Sequence, residues 1–65
     1  MANKCYLIYD QRADGCDDPD DTDAEVLASE DTLEAARKVA RMYGGIVFSY
    51  DVVDEDKIVN PKREA

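Results

Sequence analysis

Histidine and tryptophan are absent, and cysteine, glycine and proline are scarce, at two, three and two residues among 65. Without histidine the chain lacks the commonest general base and zinc ligand. Cys5 and Cys16 have neither imidazoles nor further thiols to work with, so nucleophilic catalysis and a zinc site are both unsupported, and the chain reads as a non-enzyme. Gly15, Gly44 and Gly45 do not fall into G-x-G-x-x-G or Walker spacing and read as turn and cap residues. No cofactor is implied. No apolar run approaches the roughly 18 residues of a membrane span, and the start Met1-Ala2-Asn3-Lys4 lacks the layout of a signal peptide, so a cytoplasmic location is expected. In that reducing setting a Cys5–Cys16 disulfide is disfavoured, the more so because Cys5 reads as a strand residue and Cys16 as part of a loop.

Positive charge is scarce too. Eight Lys and Arg stand against 16 Asp and Glu, for a net charge of -8. Half of the acids (Asp10, Asp14, Asp17, Asp18, Asp20, Asp21, Asp23 and Glu25) fall in one stretch where Arg12 is the only base. A field of that sign repels nucleic acid and anionic membranes and steers the chain toward basic protein surfaces. Direct nucleic-acid and membrane binding are therefore disfavoured.

A chain this short buries only about 60% of the surface its unfolded form exposes, so residues 1–65 are expected to form one domain with a small core. Cys5-Tyr6-Leu7-Ile8-Tyr9 reads as a strand apolar on both faces, suited to the middle of a sheet. Residues 11–23 form a long charged loop, and long loops in compact domains are generally functional or disordered. Ala24 to Ser29 is a weaker second strand.

Asp31 stands three residues before Glu34, the spacing of a capping box, and predicts a helix over 32–43. Leu33, Ala36, Val39, Ala40 and Tyr43 make its apolar stripe, with Glu34, Arg37, Lys38 and Arg41 on the solvent side and a Glu34–Lys38 pair one turn apart. Gly44-Gly45 ends it. Ile46 to Val53 is the longest strand, with Ile46, Phe48, Tyr50 and Val52 on one face. Asp54-Glu55-Asp56 turns the chain into a short edge strand, Lys57 to Asn60, which Pro61 stops; 61–65 is expected to fray. A right-handed crossover through the helix then gives an α+β fold, ββαββ, with a four-stranded antiparallel sheet in the order 2-1-3-4 and the helix on one face.

The second face is where function enters. Cys5, Leu7 and Tyr9 alternate with Tyr6 and Ile8, so whichever set meets the helix, an apolar, tyrosine-bearing patch remains. Two readings stay open: a homodimer or binding surface that includes Tyr6, Tyr9 and Tyr50, or a face covered by the acidic loop or the tail. Tyrosines on a sheet invite comparison with base-stacking RNA binders, but no basic rim is present to hold phosphates.

The aspartate run itself has three readings. Hard oxygen ligands for Ca²⁺ or Mg²⁺ are available, yet alignment of Gly15 on an EF-hand loop places Arg12 at a ligand position and Asp21 where a bidentate Glu belongs. Alternatively, the five aspartates from Asp17 to Asp23, spanning at most about 24 Å when extended, approach the phosphate repeat of one nucleic-acid strand. The third reading is a solubilising surface.

Leu7-Ile8-Tyr9-Asp10-Gln11-Arg12, the aspartates that follow, Val26-Leu27, Asp31-Thr32-Leu33-Glu34-Ala35-Ala36-Arg37 and Tyr50-Asp51 together resemble a family of short acidic proteins encoded by bacteriophages and prophages. That family has no assigned activity, so no functional residue carries over. The resemblance implies a viral context and a host-cell cytoplasm, where small acidic proteins of this kind, the anti-CRISPR class among them, bind and block a host nuclease or defence complex. The leading expectation is accordingly an inhibitor that docks on a basic surface through Asp14, Asp17, Asp18, Asp20, Asp21 and Asp23, with Tyr6, Tyr9 and Tyr50 in close contact. A homodimeric assembly module and a divalent-cation binder are the alternatives.

Overall fold

The computed structural model describes residues 3–16, 18–19, 22–55 and 57–64. Four strands, β1 (Asn3–Tyr9), β2 (Val26–Glu30), β3 (Ile46–Asp54) and β4 (Lys57–Arg63), and one helix, α1 (Leu33–Tyr43), follow in the order ββαββ. The sheet runs β2-β1-β3-β4, every neighbouring pair antiparallel, so the fold is α+β as the crossover argument requires. The most apolar strand, β1, occupies an inner position.

Side chains alternate strictly along the inner strands and divide into two cores. Beneath the helix lie Ile8, Val47, Ala36 and Ala40, flanked by Tyr6, Ala28, Leu33 and Val39. On the opposite face Phe48 and Tyr50 are buried with Leu7, Tyr9, Ala24 and Ile46 around them, and Ala13 from the acidic segment seals them. The second face is thus closed by the loop. A 3₁₀ turn at Gln11–Ala13 is the part of the loop that lies over it. Burial on both sides of one sheet gives a short chain a second apolar layer.

Helix α1 starts one residue later than the capping-box spacing implies. β2 continues to Glu30, which leaves only Asp31 and Thr32 for the turn, and Thr32 remains extended at φ -127°, ψ 151°. Its hydroxyl, in place of the Asp31 carboxylate, accepts from the amide of Ala35 at 3.2 Å. The helix ends as expected: Gly44 takes φ 71°, and the Gly45 amide bonds back to the Ala40 carbonyl at 2.8 Å. Gly45 is needed for a different reason, since a Cβ there would lie 2.6 Å from Ile8 Cγ2 and 2.7 Å from the Tyr9 carbonyl oxygen. Tyr43, assigned to the apolar stripe, is 64% exposed and belongs to neither core. The Glu34–Lys38 pair is not among the ion pairs of the described residues.

The C-terminal segment corrects a second expectation. Pro61 does not stop β4, because the strand is at the sheet edge and absorbs the proline at an irregularity: register shifts occur between Ser49 and Asp51 and between Val52 and Asp54, and Asn60 adopts φ 57°. Past Pro61 the ladder resumes, with Lys62 opposite Ser49 and Arg63 opposite Phe48. The Glu64 amide then bonds to the Val47 carbonyl at 2.9 Å, and its carboxylate accepts from Ser49 Oγ at 2.8 Å. Pro61 to Glu64 is therefore tied to the sheet, while Ala65 lies outside the described residues. The second strand also differs, beginning at Val26 where Ala24 was expected, because Ala24 turns inward to pack beside Phe48 and Tyr50. No described helix is long and apolar enough to cross a membrane.

Candidate partner-binding surface

The acidic segment leaves the end of β1 at Asp10 and returns to β2 at Glu25, and the Asp10 amide closes it by donating to the Glu25 carbonyl at 2.9 Å. Asp10 caps the 3₁₀ turn, its carboxylate accepting from the Arg12 amide at 3.2 Å. That turn delivers Ala13, fully enclosed, onto Phe48 and Tyr50. Pro19 is the second buried residue of the segment.

Thr22 joins the two arms. Its hydroxyl donates to the Arg12 carbonyl at 3.0 Å and accepts from the Ala24 amide at 3.3 Å. From β4, Arg63 reaches Asp14 with an Nη2 to Oδ1 distance of 2.7 Å. The Asp14 side chain is largely exposed, so this pair fixes geometry and contributes less than about 1 kcal/mol of stability.

The nine residues singled out by sequence separate into two groups. Asp14 and Asp23 are exposed and Asp18 is half-buried, on the outer side of the layer; Asp17, Asp20 and Asp21 lie outside the described residues. The three tyrosines pack against the cores, Tyr50 buried and Tyr6 and Tyr9 half-buried. Tyr50 is 6% exposed, and its hydroxyl meets that of Tyr9 at 2.9 Å. The Tyr9 ring stands edge-on to Phe48, with centroids 5.3 Å apart. Tyr6 packs on the other face, beneath the helix. Of the two readings of the second face, the structure has the one in which the acidic loop covers it.

Sequence reasoning did not single out Ala13, Pro19, Thr22 and Arg63, which hold the loop in place. Their signal was present: Ala13, Pro19 and Ala24 are the small apolar residues of a segment otherwise charged or polar. The exposed bases Arg37, Lys38 and Arg41 lie on α1, across the sheet from the loop, and none makes an ion pair among the described residues.

At the far end of the sheet, Asp51 accepts from the Asn60 side-chain amide at 3.2 Å and pairs with Lys4 at 3.4 Å. The Asn60 hydrogen bond first, then the hydrogen bond and charge of Lys4, hold its carboxyl below the usual range. Among the described residues no three His, Cys, Asp or Glu side chains gather as metal ligands, and Cys5 and Cys16 are free thiols. Set against protein-family models, curated proteins and solved structures, the chain matches none of them.

Proposed function

We propose that this protein is a binding protein that docks an acidic face on a basic surface of another protein. In keeping with the resemblance to phage-encoded acidic proteins, the owner of that surface is a host defence or nucleic-acid-processing protein whose activity the docking blocks. The supporting observation is the pinning of the loop: Ala13 and Pro19 are buried while Asp14 and Asp23 face outward. Charges mounted on a fixed support lose less conformational entropy on binding than the same charges on a free chain. Short aspartate side chains also keep that charge close to the backbone, where a groove shaped for phosphates can reach it.

The test is capture from a bacterial lysate by two forms of the protein side by side, wild type and a variant with Asp14, Asp17, Asp18, Asp20, Asp21 and Asp23 all changed to Asn. Circular dichroism establishes first that both are folded. The wild type is expected to retain a nucleic-acid-processing or defence protein at low salt and to release it as salt rises, and the variant to retain none. Equal, salt-insensitive retention by the two forms would refute the proposal.

A further inference from the structure

The bases of the chain divide by whether acids answer them. Lys4 pairs with Asp51, Arg12 with Asp10 and Arg63 with Asp14. Arg37, Lys38 and Arg41 have no ion pair among the described residues, nor do Lys57 and Lys62, which stand apart on β4. The three helix bases stand together. At 3.6 residues per turn, positions 34, 37, 38 and 41 share the side of α1 that lies away from Ala36 and Ala40, and all four are exposed. The same four line one open hollow along the helix, with Thr32 and Leu33 at its start. Arg37 and Arg41 continue into a second hollow beside Gly45. Glu34 is the single acid of this stripe and sits in the first helical turn, so the stripe beyond it is basic.

Two acids of matching spacing are equally unanswered on the loop. Ala24 turns inward beside Phe48 and Tyr50, while its neighbours Asp23 and Glu25 are exposed and without an ion pair among the described residues. Two residues of chain separate the Cα atoms of Asp23 and Glu25 by at most about 7 Å, and four residues of helix separate those of Arg37 and Arg41 by about 6 Å. Two carboxylates can thus meet two guanidiniums in register, each held by a pair of parallel N–H donors. Within one molecule the two sets are not paired, the loop packing over one face of the sheet and α1 over the other.

We propose that the basic side of α1 is an interface between copies of this chain, in which Asp23 and Glu25 of one copy dock on Arg37 and Arg41 of another, with Lys38 alongside. Repulsion between two chains of net charge -8 opposes the contact only in part, because at physiological salt charges more than about 8 Å apart are largely screened while paired groups touch. The contact is small, so a dissociation constant on the order of 0.1–1 mM is expected. No foreign protein is required, so this interface stands or falls separately from the docking reading.

Two variants, altered only at exposed positions, each remove one half: Arg37→Gln/Lys38→Gln/Arg41→Gln and Asp23→Asn/Glu25→Gln. Sedimentation and amide-detected NMR follow them from about 0.02 to 2 mM, a range that spans the expected constant. The wild type should associate as concentration rises and shift residues 23, 25, 37, 38 and 41, and each variant alone should associate at least about tenfold more weakly. An equimolar mixture of the two variants should regain the contact and stop at dimers, since each molecule then carries one usable half. A wild type that is monomeric to about 2 mM, a variant that associates as the wild type does, or a mixture that stays monomeric overturns the interface. None of these three results bears on the docking reading, which the lysate capture decides.

Discussion

Phe48→Ala removes the bulkiest fully enclosed side chain, a ring at 0% exposure that stands edge-on to Tyr9 and is sealed by Ala13. Truncating a buried phenylalanine costs about 3–5 kcal/mol through lost transfer energy and the cavity left behind. A chain of 65 residues has roughly 3–10 kcal/mol of total stability, so the loss is a large share of the whole. With a urea slope of about 1 kcal/mol/M for so small a domain, the midpoint is expected to fall by about 3–5 M, followed by far-UV circular dichroism. Phe48→Leu, which keeps most of the volume, should fall by half of that or less and keeps the test readable if the alanine variant does not fold. Ile8→Val serves as the helix-side comparison, at about 0.5–1.5 kcal/mol. So large a cost requires a covered face: were the loop detached, the ring would be partly in water already and the alanine change would cost about 1 kcal/mol or less. That result would refute the second core.

The N-cap assignment predicts that Thr32→Ala costs about 1 kcal/mol and Asp31→Ala only a few tenths, in urea titrations; the reverse order would return the cap to Asp31. The neighbouring glycines should separate as well. Gly44→Ala costs about 1 kcal/mol for its left-handed backbone, whereas Gly45→Ala costs more, since the new methyl meets a backbone carbonyl that cannot step aside; equal costs would contradict the close approach. For Asp51 the folded pKa is lowered, so its contribution is fully present above the unfolded value of about 3.9 and is lost as pH falls through the lower folded value. Lys4→Met leaves the Asn60 hydrogen bond and should move the Asp51 carboxyl part of the way up in an NMR titration; an unmoved value would remove Lys4 as a cause.

Periodicity and chirality were sufficient for the strand order and for the helix, because the two-residue alternation in β1 and β3 and the three-and-four spacing from Leu33 to Ala40 are dense signals. The boundaries were not, since they depend on competition between neighbours. Thr32 and Asp31 are both good cap residues, and the length of β2 decided between them. Pro61 stops a strand only if its missing amide is needed, and on an edge beside a left-handed Asn60 it is not. Composition marks residues 11–23 as charged but says nothing of how the loop packs, because its buried members among the described residues, Ala13 and Pro19, are two small residues within a stretch that reads as solvated. The tyrosines misled for the complementary reason: a ring with a hydroxyl suits an interface or a core equally well, and only the Tyr9–Tyr50 hydroxyl pair reveals which.

Because Ala13 lids Phe48 and Tyr50, with Ala24 beside it, the charged segment is also a wall of the building. A shortcut that joins Asp10 straight to Ala24 would not produce a silent scaffold lacking only its acids; it would bare an aromatic floor and unseat Arg63 from Asp14. Any loss of binding after such an excision would be read as loss of charge when it is loss of shape.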